Sequence, residues 1–301
     1  MLSARFFRFF RYLNLSTLKK TFIKAMKRRL MGLSAEMAYN AMLALFPGIL
    51  AVLTAIGLFQ DSLQDTFRDL ANQLSEVAPA EALTLIRDFA KEISLTKSSS
   101  LFSLSFIFAI WAASGALSAA MNALDQIHTI PTEQARPFWK AKLISLGLTI
   151  GSIVLLMTAS FLVFISGWIV EMVAQHSGAF VLSTIWRLLS WPLALGIVAT
   201  AFAFIYRFGP SRWTKGTPIM PGAILAAVSW AILSALFRVY VENFGNYNKV
   251  YGAVGAVIIL LLWLYMTSLV LLLGDQLNVT VGEAMQKAKD RSTLREAAEH
   301  E

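Results

Sequence analysis

The residues of this sequence that could do chemistry are the polar and ionisable residues inside its long apolar segments. Residues 35–48, AEMAYNAMLALFPG, lead into such a segment and carry Glu36, Asn40 and Pro47. Proline leaves the carbonyl four residues earlier without its helical donor, so a helix here should bend and expose a polar notch beside Asn40. The notch is either the mouth of a polar cavity or only the cytoplasmic edge of a helix, with Glu36 paired to a cation among residues 27–29.

A second polar set lies in and just after the apolar segment 101–124. Its members follow one another at i, i+4, i+8 and i+11, which predicts one stripe along a helix. They are Ser114, Ser118, Asn122 and Asp125. Small hydroxyls often join neighbouring helices, so the stripe predicts either helix packing or a polar pathway. Asp125 at the end of this helix opposes the macrodipole and should need a cation, for which Arg136 and Lys140 are candidates.

More polar residues lie near the ends of the last two apolar segments. They are Arg238, Glu242, Asn246, Lys249 and Asp275. An ionisable group in a membrane segment is a functional hypothesis by default. Arg238 and Glu242 can pair at i, i+4, and a solvated pair near the outer boundary is the alternative. Together with the acids at 36 and 125, Asp275 would complete three acids at the cytoplasmic level, a placement that a water interface explains equally well.

The elements that must position these residues are predicted to be membrane-spanning helices. Hydrophobic residues make up 57% of the 301 residues and charged residues only 15%, too apolar for a typical soluble domain. Since a spanning helix needs roughly 20 apolar residues, we predict an all-α membrane helix bundle with six transmembrane helices. The spans are 37–59, 101–124, 143–170, 186–206, 219–241 and 250–277.

The distribution of positive charge predicts the orientation. Most of the 26 lysines and arginines lie before the first span, after the second and fourth spans, and in the tail. The positive-inside rule then places both termini in the cytoplasm. In residues 15–31 apolar side chains recur with helical periodicity on one face, and basic side chains occupy the rest. This pattern predicts an amphipathic helix on the membrane surface. Its cations are Lys19, Lys20, Lys24, Lys27, Arg28 and Arg29.

Three regions follow from these predictions. Residues 1–36 form a basic cytoplasmic segment, 37–280 the transmembrane domain, and 281–301 a polar cytoplasmic tail that is expected to be frayed from residue 283. Within the second region, 60–100 should form two short amphipathic helices that cap the outer end of the spans. The anchoring helix 15–31 either orients the protein or acts as a gate or lipid-collecting surface.

Several classes of function find no support in the sequence. There is no cysteine, the three histidines are scattered, and no nucleotide-binding, hydrolase or metal-binding motif is present. We therefore expect no metal, no cofactor and no enzymatic activity. The net charge of +8 is explained by topology rather than by nucleic-acid binding, because no binding motif accompanies it.

Two stretches resemble a known family. The segments LSAEMAYNAMLALFPGILAVLTAIGLF and YGAVGAVIILLLWLYMTSLVLLLGDQLN are similar to the YihY/BrkB family of bacterial inner-membrane proteins, as are YRFGP at 206–210 and the proline–glycine pair at 221–222. The resemblance implies a multi-pass inner-membrane protein with cytoplasmic termini. The family has carried the label ribonuclease BN, but this sequence offers no catalytic base or metal cluster for RNA cleavage.

Relatives in that family are tied to serum resistance and to envelope lipid phenotypes, which implies by analogy the movement of a lipid or other amphiphile. We expect a transporter or flippase-like protein with membrane lipids as partners. The alternative is a non-catalytic scaffold that binds an envelope protein through the 60–100 segment. The sequence determines neither the substrate nor the oligomeric state.

Overall fold

A computed structural model describes residues 9–45, 47–49, 99–177, 180–212, 217–243 and 247–299. Every regular element within these ranges is helical, so the chain is an all-α membrane protein, as predicted. The longer helices are α1 Leu15–Lys27, α2 Leu30–Leu43, α3 Ser99–Ile127, α4 Phe138–Ser177, α5 Phe180–Phe208, α6 Met220–Asn243 and α7 Tyr247–Glu299.

Helix α1 is amphipathic, and its small face is the one that packs against protein. The side chain of Asn14 accepts a hydrogen bond from Thr17 N at 2.8 Å and so caps the helix start. Small side chains at 17, 21 and 25 are buried, whereas Leu15 is 83% and Phe22 61% exposed. From Leu15 to Met26 the apolar stripe predicted for residues 15–31 therefore faces away from the protein, where lipid would cover it, whereas Leu30 is buried.

Helix α2 ends one turn before Pro47. Its last helical residue is Leu43, and the chain resumes helical geometry with Gly48 N donating to Ala44 O at 3.0 Å. The proline ring excludes a continuous α-helix through this point. The predicted span 37–59 therefore begins with an interruption, and its part from residue 50 onward lies outside the described residues.

Four helical stretches among the described residues are long and apolar enough to cross a membrane. They are Ser103–Ile127, Phe138–Leu155, Met220–Val241 and Val254–Leu294, and a shorter apolar stretch covers Pro192–Phe208. These coincide with the predicted spans two to six, apart from shifts at their ends. The six-span count remains a prediction, since most of the first predicted span lies outside the described residues.

Helix α7 continues far beyond its predicted span. It runs without interruption for 53 residues, to Glu299. The prediction of a frayed tail from residue 283 is therefore wrong. At 1.5 Å per residue this helix is roughly 80 Å long, against about 30 Å of hydrocarbon. The tail sequence is rich in alanine, glutamate, lysine and arginine, which are strong helix formers and need no membrane to stay helical.

The chain divides into two compact units. One comprises Met1–Tyr39 with Ser114–Glu301, and the other Asn40–Ala113. Within the first unit α4 contacts α5, α5 contacts α6, and α7 contacts both α6 and α1. Many of its core residues are alanines, and small side chains let membrane helices approach closely. Of the outer cap expected at 60–100, residues 60–98 lie outside the described residues.

Candidate functional site

A buried Asp–His pair lies in the first unit, at the end of α3. Asp275 is a residue of α7, and His128 follows the last residue of α3. The His128 Nε2 and Asp275 Oδ2 atoms are 3.0 Å apart, and each side chain is only 1% exposed. His128 N donates to Leu124 O at 2.8 Å, which extends the last turn of α3. The pair therefore ties the end of one apolar helix to the middle of another.

Arg28 joins this pair to the surface helix. Its Nη1 donates to Gln276 Oε1 at 2.7 Å, and its Nη2 donates to Thr129 Oγ1 at 2.8 Å. Burial lowers the pKa of the Arg28 guanidinium, while attraction to Glu283 and to Asp275 acts in the opposite direction. Arginine stays protonated in proteins, so Arg28 places a fixed positive charge near the buried carboxylate.

Both turns that meet at Arg28 contain a residue in the left-handed region. Arg29 and Thr129 each have φ near 55°, a conformation that is uncommon for residues other than glycine. Arg29 connects α1 to α2, and Thr129 accepts the hydrogen bond from Arg28. The same contact thus holds two unusual turns in place.

Tight packing surrounds the pair on the α5 and α6 side. Tyr206 is fully buried, and its hydroxyl donates to Leu271 O at 2.6 Å. A Cβ on Gly274 would overlap the Tyr206 hydroxyl and lie 2.7 Å from Ala226 Cβ and 3.0 Å from Gly222 O. Glycine at 274 is thus what lets α7 approach α5 and α6 so closely.

Asn278 fixes the start of α6. Its Oδ1 accepts from Gly222 N at 2.9 Å, and its Nδ2 donates to Ile219 O at 3.1 Å. The first amide groups of a helix have no partner within the helix, and Asn278 supplies one from α7. The side chain is fully buried, so it acts as a tertiary cap.

Replacing Asn278 by alanine is expected to destabilise the first turn of α6. Leaving the buried Gly222 amide without its acceptor should cost about 1–3 kcal/mol, seen as a lower melting temperature in detergent and faster hydrogen exchange at residues 219–223. Gln286→Ala is the matched control, because Gln286 is an exposed amide on the same helix that bonds Asp290. Equal melting temperatures for the two variants would contradict the capping role.

Asp125 and Arg136 stabilise the segment that follows α5. The Asp125 carboxylate accepts from Ser211 N and from Ser211 Oγ, each at 2.6 Å. Arg136 donates to three carbonyls at the end of α5, those of Phe208, Gly209 and Pro210. Burial lowers the pKa of Arg136, and Asp125 opposes that shift. Of the two cations expected near Asp125, Arg136 is thus close enough to act on it, although the hydrogen bonds of Asp125 go to Ser211.

The predicted stripe of α3 winds around its helix. Ser114 is fully buried and accepts from Lys142 Nζ at 2.6 Å, Ser118 is half-buried, and Asn122 is exposed. A step of four residues turns a helix by about 40° beyond a full circle, so the positions drift away from one face. Lys142 is an ionisable residue within the apolar helix α4, and its contact with Ser114 was not predicted from the sequence.

The other predicted site residues are not joined to this cluster by the contacts that the structure gives. Glu36 is exposed in the first unit, and Arg238 is exposed near the end of α6. Asn40 and Pro47 belong to the second unit and are half-buried there. Asn246 and the side chains of Glu242 and Lys249 lie outside the described residues. Of the three acids placed at one level by the sequence, Asp275 contacts the buried histidine.

The surface cations divide into two groups. Lys19, Lys20, Lys27 and Arg29 are exposed, whereas Lys24 and Arg28 are half-buried. Lys24 pairs with Glu283, and Arg28 bonds Gln276. Both contacts attach α1 to α7, a role that periodicity alone did not distinguish from headgroup binding.

Comparison with known proteins identifies relatives over most of the chain. A family model described as virulence factor BrkB matches residues 21–300, which confirms the resemblance seen in the sequence. The putative ribonuclease-like protein YfkH of Bacillus subtilis is 29% identical over 265 residues, covering 88% of this chain and 94% of that protein.

Shorter matches link the chain to membrane proteins of the UPF0761 group. One from Tolumonas auensis is 31% identical over 48% of this chain and 47% of its own length. One from Alteromonas mediterranea is 35% identical over 31% of this chain and 32% of its own length. This chain thus matches less than half of each of these two relatives. No solved structure matches the chain.

Proposed function

We propose that this chain, which belongs to the BrkB family of membrane proteins, moves phospholipids or other amphiphiles across the bacterial inner membrane. Both termini would lie in the cytoplasm, as the charge distribution predicts. The proposal concerns a transporter or flippase-like protein rather than an enzyme. Membrane lipids are then both its environment and its substrate.

The observation that carries the proposal is the outward-facing apolar stripe of α1. Leu15, Leu18, Phe22 and Met26 are 83%, 46%, 61% and 52% exposed. Exposed lysines flank the stripe, which is the pattern of a helix that lies at the headgroup level of an anionic leaflet. A helix that served only to pack on the protein would bury this stripe.

The attachment of α1 connects that lipid-facing surface to the interior. Lys24 and Arg28 bind α7 through Glu283 and Gln276, next to the buried pair of Asp275 and His128. Buried ionisable residues in membrane helices are rare, and they commonly mark pathways and relays. A displacement of α1 by lipid would therefore act directly on a polar cluster in the spans.

The test is lipid translocation by the purified full chain in vesicles. The vesicles contain zwitterionic and anionic phospholipid with a headgroup-labelled phosphatidylglycerol, and a membrane-impermeant reductant bleaches the outer leaflet. Wild-type protein should expose the inner-leaflet label as well. The double variant Phe22→Gln, Met26→Gln should slow this several-fold, because it removes two of the four exposed apolar side chains of the stripe and leaves the packed face of α1 intact.

The control variant is Leu294→Gln, which removes an exposed apolar side chain, 70% accessible, from the far part of α7. It should translocate like wild type. If wild-type vesicles bleach no further than protein-free ones, lipid movement by this protein is overturned and a scaffold role gains. Because the Bacillus relative is named ribonuclease-like, the same preparation should be tested on RNA, where we expect no cleavage.

A further inference from the structure

We propose that the first turn of α4 is a second membrane-surface anchor, in which Phe138, Trp139 and Lys140 lie at the headgroup level of the leaflet that covers α1. The partner of this turn is the interfacial layer of a phospholipid leaflet. The proposal concerns where the chain lies in the bilayer, and it stands whether or not the protein moves lipid.

Two aromatic side chains at the start of α4 are largely uncovered by the part of the chain that the structure describes. Phe138 is 71% and Trp139 73% exposed. Their rings make an edge-to-face contact with centroids 5.4 Å apart, an arrangement that aromatic pairs prefer. Each ring covers part of the other, and the remaining surface of both is open to a partner outside the chain.

Trp139 is also the N-terminal member of an exposed apolar stripe that follows α4. The members recur after four, seven, four and three residues, so they share one helix face. They are Trp139, Leu143, Ile150, Val154 and Met157. The stripe begins in the segment Phe138–Leu155, which is apolar enough to cross a membrane. Hydrocarbon is the medium that covers such a face, so the first member lies where hydrocarbon ends.

The residue types at this end of the stripe suit the boundary between hydrocarbon and water. Tryptophan combines a large apolar ring system with one N–H donor, and it is enriched at membrane–water interfaces. Lys140 is exposed directly after it, and a lysine can lay its methylene groups on apolar surface while its ammonium reaches the headgroups. The preceding turn Thr132–Gln134 is polar and exposed. Polarity therefore changes from water-like to lipid-like across this short segment.

Arg136 fixes the position of the aromatic pair. Its guanidinium donates to three carbonyls at the end of α5, and its backbone N–H donates to Ser211 Oγ at 3.1 Å. The carbonyl of Pro137 accepts from Ala141 N at 2.9 Å, so helical geometry begins directly after this attachment. The pair is thus carried by a turn that is fixed to α5, as an anchor requires.

The start of α4 lies on the same side of the spans as α1. Arg28, at the C-terminal end of α1, donates to Thr129 Oγ1 at 2.8 Å, and the connection 130–137 leads from there to α4. All of these residues belong to the first unit. Because irregular backbone does not cross lipid hydrocarbon, both elements face one leaflet. The charge distribution predicts that this leaflet is the cytoplasmic one.

Site-directed spin labelling of the full chain in vesicles of phosphatidylethanolamine and phosphatidylglycerol tests the depth of this turn. Since the chain has no cysteine, Glu133→Cys, Trp139→Cys and Val154→Cys can each carry one nitroxide at an exposed position. Relaxation by oxygen reports hydrocarbon, and relaxation by a water-soluble nickel chelate reports water. The ratio of oxygen to nickel relaxation should be several-fold higher at site 154 than at site 133, with site 139 between them.

Two results at site 139 would overturn the proposal. Nickel accessibility equal to that at site 133 would place the turn in water. Low accessibility to both reagents would mean that a protein surface covers the turn instead of lipid.

A second measurement tests whether the aromatic pair holds α4 in place. With the label at site 154, the double variant Phe138→Ala, Trp139→Ala should lower the ratio of oxygen to nickel relaxation, because the hydrated Lys140 then pulls the turn toward water without opposition from the rings. Tyr39→Ala is the control, since Tyr39 is another exposed aromatic residue of the first unit and lies in α2. It should leave the ratio unchanged. An equal ratio in the double variant and in wild type would contradict the anchoring role.

Discussion

Replacing Gly274 by alanine is expected to lower the melting temperature of the protein. The effect should be larger than that of the same change at a glycine of the apolar helices whose surroundings are open. The new Cβ would overlap the Tyr206 hydroxyl and lie 2.7 Å from Ala226 Cβ and 3.0 Å from Gly222 O. Two of these neighbours are a Cβ and a backbone oxygen, which no side-chain rotation can move. Helix α7 would have to shift away from α5 and α6.

The expected cost is that of overpacking a well-packed core, about 1–3 kcal/mol. The shift should also break the hydrogen bond from Tyr206 to Leu271 O, which is 2.6 Å long. Thermal unfolding in detergent measures the first effect, and hydrogen exchange in α7 measures the second. The double variant Tyr206→Phe, Gly274→Ala should recover part of the loss, because it removes the overlapping hydroxyl.

Gly147→Ala provides the matched control. Gly147 lies in α4, where a Cβ would meet no heavy atom within 4 Å. Alanine in an open helical position should be neutral or stabilising by up to about 1 kcal/mol. If Gly274→Ala melts as high as Gly147→Ala, the close approach of α7 to its neighbours is not what glycine at 274 provides.

The same two glycines show how far sequence patterns reach. A GxxxG pattern at 147–151 predicts close packing, yet Gly147 is open, whereas a Cβ on Gly151 would lie 2.9 Å from a ring carbon of Phe204. Gly274 belongs to no such pattern, yet a Cβ there would overlap the Tyr206 hydroxyl. Spacing shows which residues share a helix face. Which neighbouring helix packs against that face depends on the tertiary structure.

The spans were predictable because each is signalled by its own composition. An apolar stretch of roughly 20 residues is a property of the local chain, and the predicted spans 219–241 and 250–277 correspond to Met220–Val241 and to the first part of Val254–Leu294. The end of α7 was not predictable from hydropathy. Its charged sequence is helical for reasons of propensity, which a hydropathy window ignores.

The site was predicted in pieces and not as a cluster. Asp275 was recognised as an acid inside a span, and Arg28 as a surface cation. His128 lies 147 positions from Asp275 along the chain, and Arg28 lies 248 positions from Gln276. No local pattern relates residues that far apart. For α1 the periodicity gave the apolar stripe, and burial adds that its side chains from Leu15 to Met26 face away from the protein.

Replacing Asp275 by alanine is expected to be the most destabilising single change in the polar cluster. It removes the carboxylate that contacts His128 Nε2 and one of the two acids that attract Arg28, while His128 and Arg28 remain at the site. Breaking a buried pair by removing one partner typically costs about 3–5 kcal/mol. Thermal unfolding in detergent should show this loss, whereas Glu133→Ala, at an exposed acid, should change stability by less than about 0.5 kcal/mol.

A double-mutant cycle separates the pair from its surroundings. His128→Leu and Asp275→Leu are measured singly and together, and residues in direct contact should show a coupling of about 0.5–3 kcal/mol. The double variant should be more stable than Asp275→Leu alone, because an apolar pair leaves no buried imidazole without its carboxylate. Arg28→Gln should lose part of its own effect in the double variant, since one of the two acids that attract Arg28 is gone while Glu283 remains. Additive losses from the His128 and Asp275 changes would mean that the 3.0 Å contact contributes nothing to stability.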